Sequence, residues 1–133
     1  MEAILRNVAE ECTAGSDDGR LTFPQVVKKL IDAGVEQYHA DLRRSEKTYY
    51  MPDNKSVVVA SAAIAGSPAR DFSSAAVETA VRAIQRDEIG YMEFCERIVA
   101  AGCVGYLVSI VGRRAVYFGR TCDNYVEPFP QAK

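Results

Sequence analysis

Sliding the chain past itself by 68 positions brings Ala33-Gly34 onto Ala101-Gly102, Tyr38 onto Tyr106 and Tyr49 onto Tyr117. Similar residues keep the same spacing between these identities. Val26 meets Phe94, Lys29 meets Arg97, Leu30 meets Ile98, Ile31 meets Val99 and Leu42 meets Ile110. Self-similarity at a fixed offset restricts a fold more than any single motif, because each copy has to present the same faces to its surroundings. Two copies are too few for a solenoid, so the halves must share a core. A chain of 133 residues also has the length of one domain with one core. We therefore expect a single domain over residues 1–133, built from half-units running approximately over 1–66 and 67–133.

Each half reads alike. Thr22-Phe-Pro-Gln25 fits a capping box, in which the threonine hydroxyl accepts from the N3 amide and the glutamine reaches back. Phe23, Val26, Val27, Leu30 and Ile31 follow the spacing of one helical face, and Gly34 ends it at a left-handed cap. Tyr91, Phe94, Ile98 and Val99 repeat that face, with Gly102 closing. After each glycine the period changes to two. Tyr38, Ala40 and Leu42 alternate with polar neighbours, whereas Val104–Val111 is apolar on both faces and reads as a more central strand. Arg43–Glu46 and Gly112–Arg114 read as hairpin turns, with return strands over Lys47–Met51 and Ala115–Gly119. Third strands are expected around Val57–Val59 and Tyr125–Glu127. Two further helices carry apolar faces at Ile4, Leu5, Val8 and Cys12, and at Val77, Ala80, Val81 and Ile84. The predicted class is α+β: two related helix-helix-β-meander halves with pseudo-twofold symmetry, an antiparallel sheet packed on helices.

Composition narrows the function classes. With 48% hydrophobic residues, 26% charged residues and a net charge of −2, the chain is globular and carries no strong field towards nucleic acid or anionic membranes. No apolar run approaches the ~18 residues of a membrane span, and the N-terminus lacks a signal-peptide layout. A cytoplasmic protein is expected. Cys12, Cys95, Cys103 and Cys122 form no C-x-x-C pair and lie far from the single histidine, His39. They read as reduced, structural thiols, with no metal site and no cofactor. The basic turns, interleaved with tyrosines, lack the domain-wide positive footprint of a nucleic-acid binder, so a nucleic-acid partner is disfavoured.

Ser16-Asp17-Asp18-Gly19 resembles a calcium loop but fails as one. With Gly19 at loop position 6, positions 1 and 12 are Ala14 and Gln25, which cannot complete the oxygen cage. No P-loop, G-x-S-x-G, G-x-G-x-x-G or H-E-x-x-H is present.

Positions where one half is polar and the other apolar are the informative ones. His39, Asp41 and Arg43 alternate along a strand, about 7 Å apart on one face, where the second half has Leu107, Ser109 and Val111. A histidine near a carboxylate suits base or anion-binding work, and Arg43 can hold a carboxylate or phosphate. Tyr38 and Tyr49 are the nearby hydroxyls. The competing reading makes this row the solvated face of a strand near the sheet edge.

The strings A-G-V-x-x-Y-H-A-D-L-R-R-S-E-K-T-Y-Y within Phe23–Tyr50 and E-I-G-Y-x-E-F…A-A-G-C-V-G-Y…Y-F-G-R-T within Ile89–Pro130 resemble the YbcV-like family of bacterial proteins, some of which are labelled phage envelope protein. The resemblance covers nearly the whole chain. It implies a bacterial or prophage origin and a small α+β domain, and it transfers no catalytic residue.

The leading expectation is a non-enzymatic binding or interaction module for a small molecule or protein, forming a homodimer through helix faces or a sheet edge. The alternative is a small-molecule-binding protein or small enzyme that uses His39, Asp41 and Arg43 with Tyr38 or Tyr49.

Overall fold

The Thr22 hydroxyl accepts from the Gln25 amide at 3.4 Å, and the Thr22 amide donates to Gln25 Oε1 at 2.8 Å. This reciprocal cap satisfies two of the free amides that every helix start leaves. In the computed structural model, which describes residues 2–130, it opens α2 (Phe23–Ala33) after α1 (Glu2–Asp17). Then come β1 (Gln37–Asp41), β2 (Glu46–Tyr50) and β3 (Ser56–Ala60). A loop leads to α3 (Ser74–Gln85), α4 (Tyr91–Ala100), β4 (Cys103–Ser109), β5 (Arg114–Gly119) and β6 (Asn124–Pro128). The described residues form an α+β fold, with four helices and one six-stranded antiparallel sheet in the order β3-β2-β1-β4-β5-β6.

Backbone geometry repeats more closely than residue type. Left-handed residues occur at Gly19 and Asp87, Gly34 and Gly102, Ser45 and Arg113, and Asn54 and Cys122, each pair 68 apart. Non-glycine residues hold five of these eight positions, at a cost of about 1 kcal/mol each, so the turns are imposed by the strands and helices they join. The central pairing shares the offset. Tyr38 pairs with Val108 and Ala40 with Tyr106 across β1 and β4, so exchanging the halves returns the same register.

Among the described residues, only one face of the sheet is covered. Tyr38 and Ala40, Lys47 and Tyr49, Val57 and Val59, Val108, Ala115 and Tyr117 are all buried in or against one core with the helices. The alternate residues Gln37, His39, Asp41, Thr48 and Tyr50 are half-buried on the open face.

Four expectations need correction. β1 is interior, paired on both sides, and the edges are β3 and β6; the polarity of β1 comes from an uncovered face. α2 packs chiefly on α1, which leaves Phe23 40% and Ile31 52% exposed, with Val26 and Leu30 buried. Ile4 is 59% exposed, because α1 buries Leu5, Ala9, Cys12, Thr13 and Ser16 instead. Of the cysteines, Cys12, Cys95 and Cys103 are buried free thiols, but Cys122 is exposed and lies outside the core.

The two C-terminal helix glycines separate conformational strain from crowding. A Cβ at Gly34 would meet only the Met51 methyl at 3.5 Å, whereas one at Gly102 would overlap the Asp71 backbone. Gly34→Ala should therefore cost about 1 kcal/mol from its left-handed φ alone. Gly102→Ala should cost about 3 kcal/mol, since overpacking adds to the same strain. Urea melts of the two variants measure the difference, and equal losses would contradict the packing at Asp71.

Candidate binding cleft

The alternation of β1 separates the residues that the sequence brings together. His39 and Asp41 point to the open face of the sheet, while Tyr38 and Tyr49 pair with each other on the covered face. The tyrosines therefore cannot assist His39. Arg43 lies beyond the end of β1, exposed in the hairpin turn. The Asp41 carboxylate is occupied locally, its Oδ1 accepting from the Arg43 and Arg44 amides at 3.0 Å each, an arrangement that shapes the turn. His39 stacks on Phe118, with ring centroids 6.0 Å apart, above Gly105, which leaves room for the ring. The Tyr49 hydroxyl bonds Thr13 Oγ1 at 2.8 Å inside the core. Of the five residues, Tyr38 lines the cleft described next, and the other four do not.

That cavity is a cleft of about 510 Å³ on the covered side of the sheet. One wall comes from the segment between α1 and α2, the other from the segment between α3 and α4, and the floor from β1, β2, β4 and β5. Its lining is paired across the offset: Leu21 with Ile89, Thr22 with Gly90, Phe23 with Tyr91, Val26 with Phe94, Tyr38 with Tyr106, and Lys47 with Ala115. Phe129, beyond β6, adds an aromatic edge against Phe23 at a centroid distance of 5.5 Å.

Lys47 is the feature that sequence reasoning missed. It is 4% exposed, and its ammonium lies 4.5 Å from the Tyr91 ring centroid and 5.9 Å from that of Tyr38. Among the described residues no carboxylate lies within ion-pair distance of it. Burial lowers its pKa from 10.5, against weaker upward pulls from Cys95, Asp17 and Cys12. Cation–π contacts contribute ~0.5–2 kcal/mol, less than the several kcal/mol that desolvating an ammonium costs. The signal lay in the offset, since Lys47 stands where the other half has Ala115. The same comparison selected His39.

Beside Lys47, the Tyr91 and Tyr106 hydroxyls share a 2.6 Å hydrogen bond. Burial holds Tyr38, Tyr91 and Tyr106 well above the ordinary phenol value of 10.0. Burial likewise pushes the nearby Cys95 thiol up to about 11. These groups remain protonated at neutral pH and act as hydrogen-bond donors. The cleft thus offers apolar walls, phenol donors and one ammonium, a set suited to holding a molecule.

The family model described as "Protein of unknown function (DUF1398)" matches residues 21–126, a span that includes Lys47 and all the tyrosines of the cleft floor. No curated protein matches the chain.

The buried acids fix the alkaline limit of the fold. Cys12, Cys95 and Cys103 rise to about 11 from 9.0 through burial, and the buried tyrosines rise from 10.0. Above pH 9 the unfolded chain loses these protons first. The stability they supply is complete below about pH 9 and is lost as pH rises through about 11. Lys47 acts in the opposite sense, its penalty fading as pH rises towards 10.5, but it is one base against several acids. The melting temperature should stay level to about pH 9 and then fall steeply, with a shallower fall in Cys95→Ala. Circular-dichroism melts across this range test it, and a level profile through pH 11 would be incompatible with buried thiols.

Proposed function

The chain belongs to the DUF1398 family, and from that premise we propose that it is a non-enzymatic binding module whose cleft takes a small, largely apolar molecule. The family assigns no chemistry, so the role rests on the cleft. The observation that carries the reading is the roughly 510 Å³ cavity walled by Phe23, Ile84, Ile89 and Phe129, with Lys47 buried and unpaired in its floor. Its size falls within the range of small-molecule sites, and its mostly apolar lining with few convergent polar groups is their usual composition. Binding rather than turnover is supported by the lining, which contains no nucleophile held against a base. Of the residues singled out in the sequence, Tyr38 enters this reading. His39, Asp41 and Arg43 do not.

Kinship with the YbcV-like proteins, a bacterial origin and a cytoplasmic location belong to the same proposal. They are supported by the strings around Tyr38 and Tyr106 and by three buried free thiols. The halves are read as one domain related by a pseudo-twofold axis through the His39–Leu107 pair, supported by the register that exchange leaves unchanged.

N-phenyl-1-naphthylamine, a neutral dye that brightens out of water, tests the reading. Saturable one-to-one binding is expected, and Phe23→Ala should weaken it about fivefold, the equivalent of roughly 1 kcal/mol of lost apolar contact. Phe23 is exposed enough that the melting temperature should barely move. Absence of saturation, or binding unchanged in Phe23→Ala, would remove the cleft from consideration.

A further inference from the structure

We infer that the molecule held in the cleft carries a carboxylate or similar oxyanion, seated between the Lys47 ammonium and the open N-terminus of α4. This inference rests on the small-molecule reading above and names its ligand class. Lys47 is 4% exposed, and among the described residues no carboxylate lies within ion-pair distance of it; Asp17 acts on it from farther away. Asp17 Oδ2 accepts from the Ala62 amide at 2.9 Å, and its Oδ1 is enclosed without a partner. A buried ammonium without a counter-ion is costly. An anion entering from the cleft supplies the missing charge.

The second observation is the start of α4. Its N-cap is Gly90, which has no side chain to cap the first amides. The first-turn carboxylate of Glu93 is drawn to Arg97 at 2.6 Å. Gly90 and Tyr91 both line the cleft, and the Tyr91 ring carries the Lys47 ammonium. Free amides and a positive helix end favour an oxyanion. In the Tyr91–Tyr106 pair, the hydroxyl that accepts keeps its own proton for a further acceptor.

At the place related by the offset, beside the start of α2, each of these features is closed. Thr22 and Gln25 cap α2, Pro24 removes an amide, and Ala115 of the second half stands where Lys47 stands in the first. Donors therefore gather at one side of a cleft whose walls otherwise repeat, which orients the ligand. Of the acids that line it, Glu127 is held by Arg82 at 2.9 Å and by Tyr125 at 2.6 Å, and Asp87 is exposed to solvent.

Two dyes with the same aromatic body test the inference: 8-anilinonaphthalene-1-sulfonate, which is anionic, and N-phenyl-1-naphthylamine, which lacks the sulfonate. Wild type should bind the anionic dye about tenfold more tightly, the ~1.4 kcal/mol of one charge-assisted contact. Lys47→Met should lose that tenfold advantage and keep its affinity for the neutral dye, which also reports an intact cleft. Met92→Pro gives α4 the proline that α2 already has at Pro24, and should weaken the anionic dye alone by about threefold. Equal affinities on wild type, or equal losses of both dyes in Lys47→Met, would overturn the anion site and leave the apolar cleft standing. If neither dye saturates, the cleft reading falls as well.

Discussion

The pairing of β1 with β4 is the contact on which the rest of the molecule depends. Each half alone is two helices against a three-stranded meander, with a long unpaired edge at its first strand. An exposed edge of that kind invites pairing with another chain. Here each half covers the edge of the other, and the sheet runs unbroken through six strands. The same pairing sets Tyr38 and Tyr106 side by side beneath the helices, ring centroids 6.4 Å apart. The floor of the cleft is thus a consequence of how the halves join.

Because the register is unchanged when the halves are exchanged, the cleft starts from matching walls. Local backbone follows the same rule even where residues differ. Asp87 takes the left-handed turn that Gly19 takes, and Arg113 the one that Ser45 takes. Side chains at such turns can vary within about 1 kcal/mol of strain, whereas the glycine at position 102 is held by the Asp71 backbone. The architecture fixes geometry and leaves chemistry free to differ between the halves.

Much of the fold was legible in the sequence because it is local. The Thr22 cap, the glycine stops at Gly34 and Gly102, and the change from helical to strand period depend on residues a few positions apart. What was not legible depends on what lies above each face. Phe23 and Ile31 look like core on helical spacing, but α2 sits on α1 and leaves them outside. His39 and Asp41 look like a site because they are polar on an alternating strand, yet that face has no cover. Lys47 looks like solvent-facing charge in Glu-Lys-Thr-Tyr-Tyr, and its offset partner Ala115 and cross-strand partner Ala40 are what mark it as pointing inwards.

Lys47 and Ala115 occupy equivalent positions in the two halves, both buried and both lining the cleft. The fold therefore accommodates an apolar residue there, and the lysine is not needed to complete the core. Its burial lowers its pKa, which means the folded state holds the charged form less favourably than water does. A group that weakens its own fold, at a position where the same architecture accepts alanine, is a local inconsistency of the kind that gathers at functional sites. The open cap at Gly90 is a second such inconsistency, since Thr22 shows that the position takes a capping side chain. Both lie on the same cavity. Two departures from the better-packed alternative converge on one space and both offer positive charge to it, which is the arrangement that the proposed anion would satisfy at once.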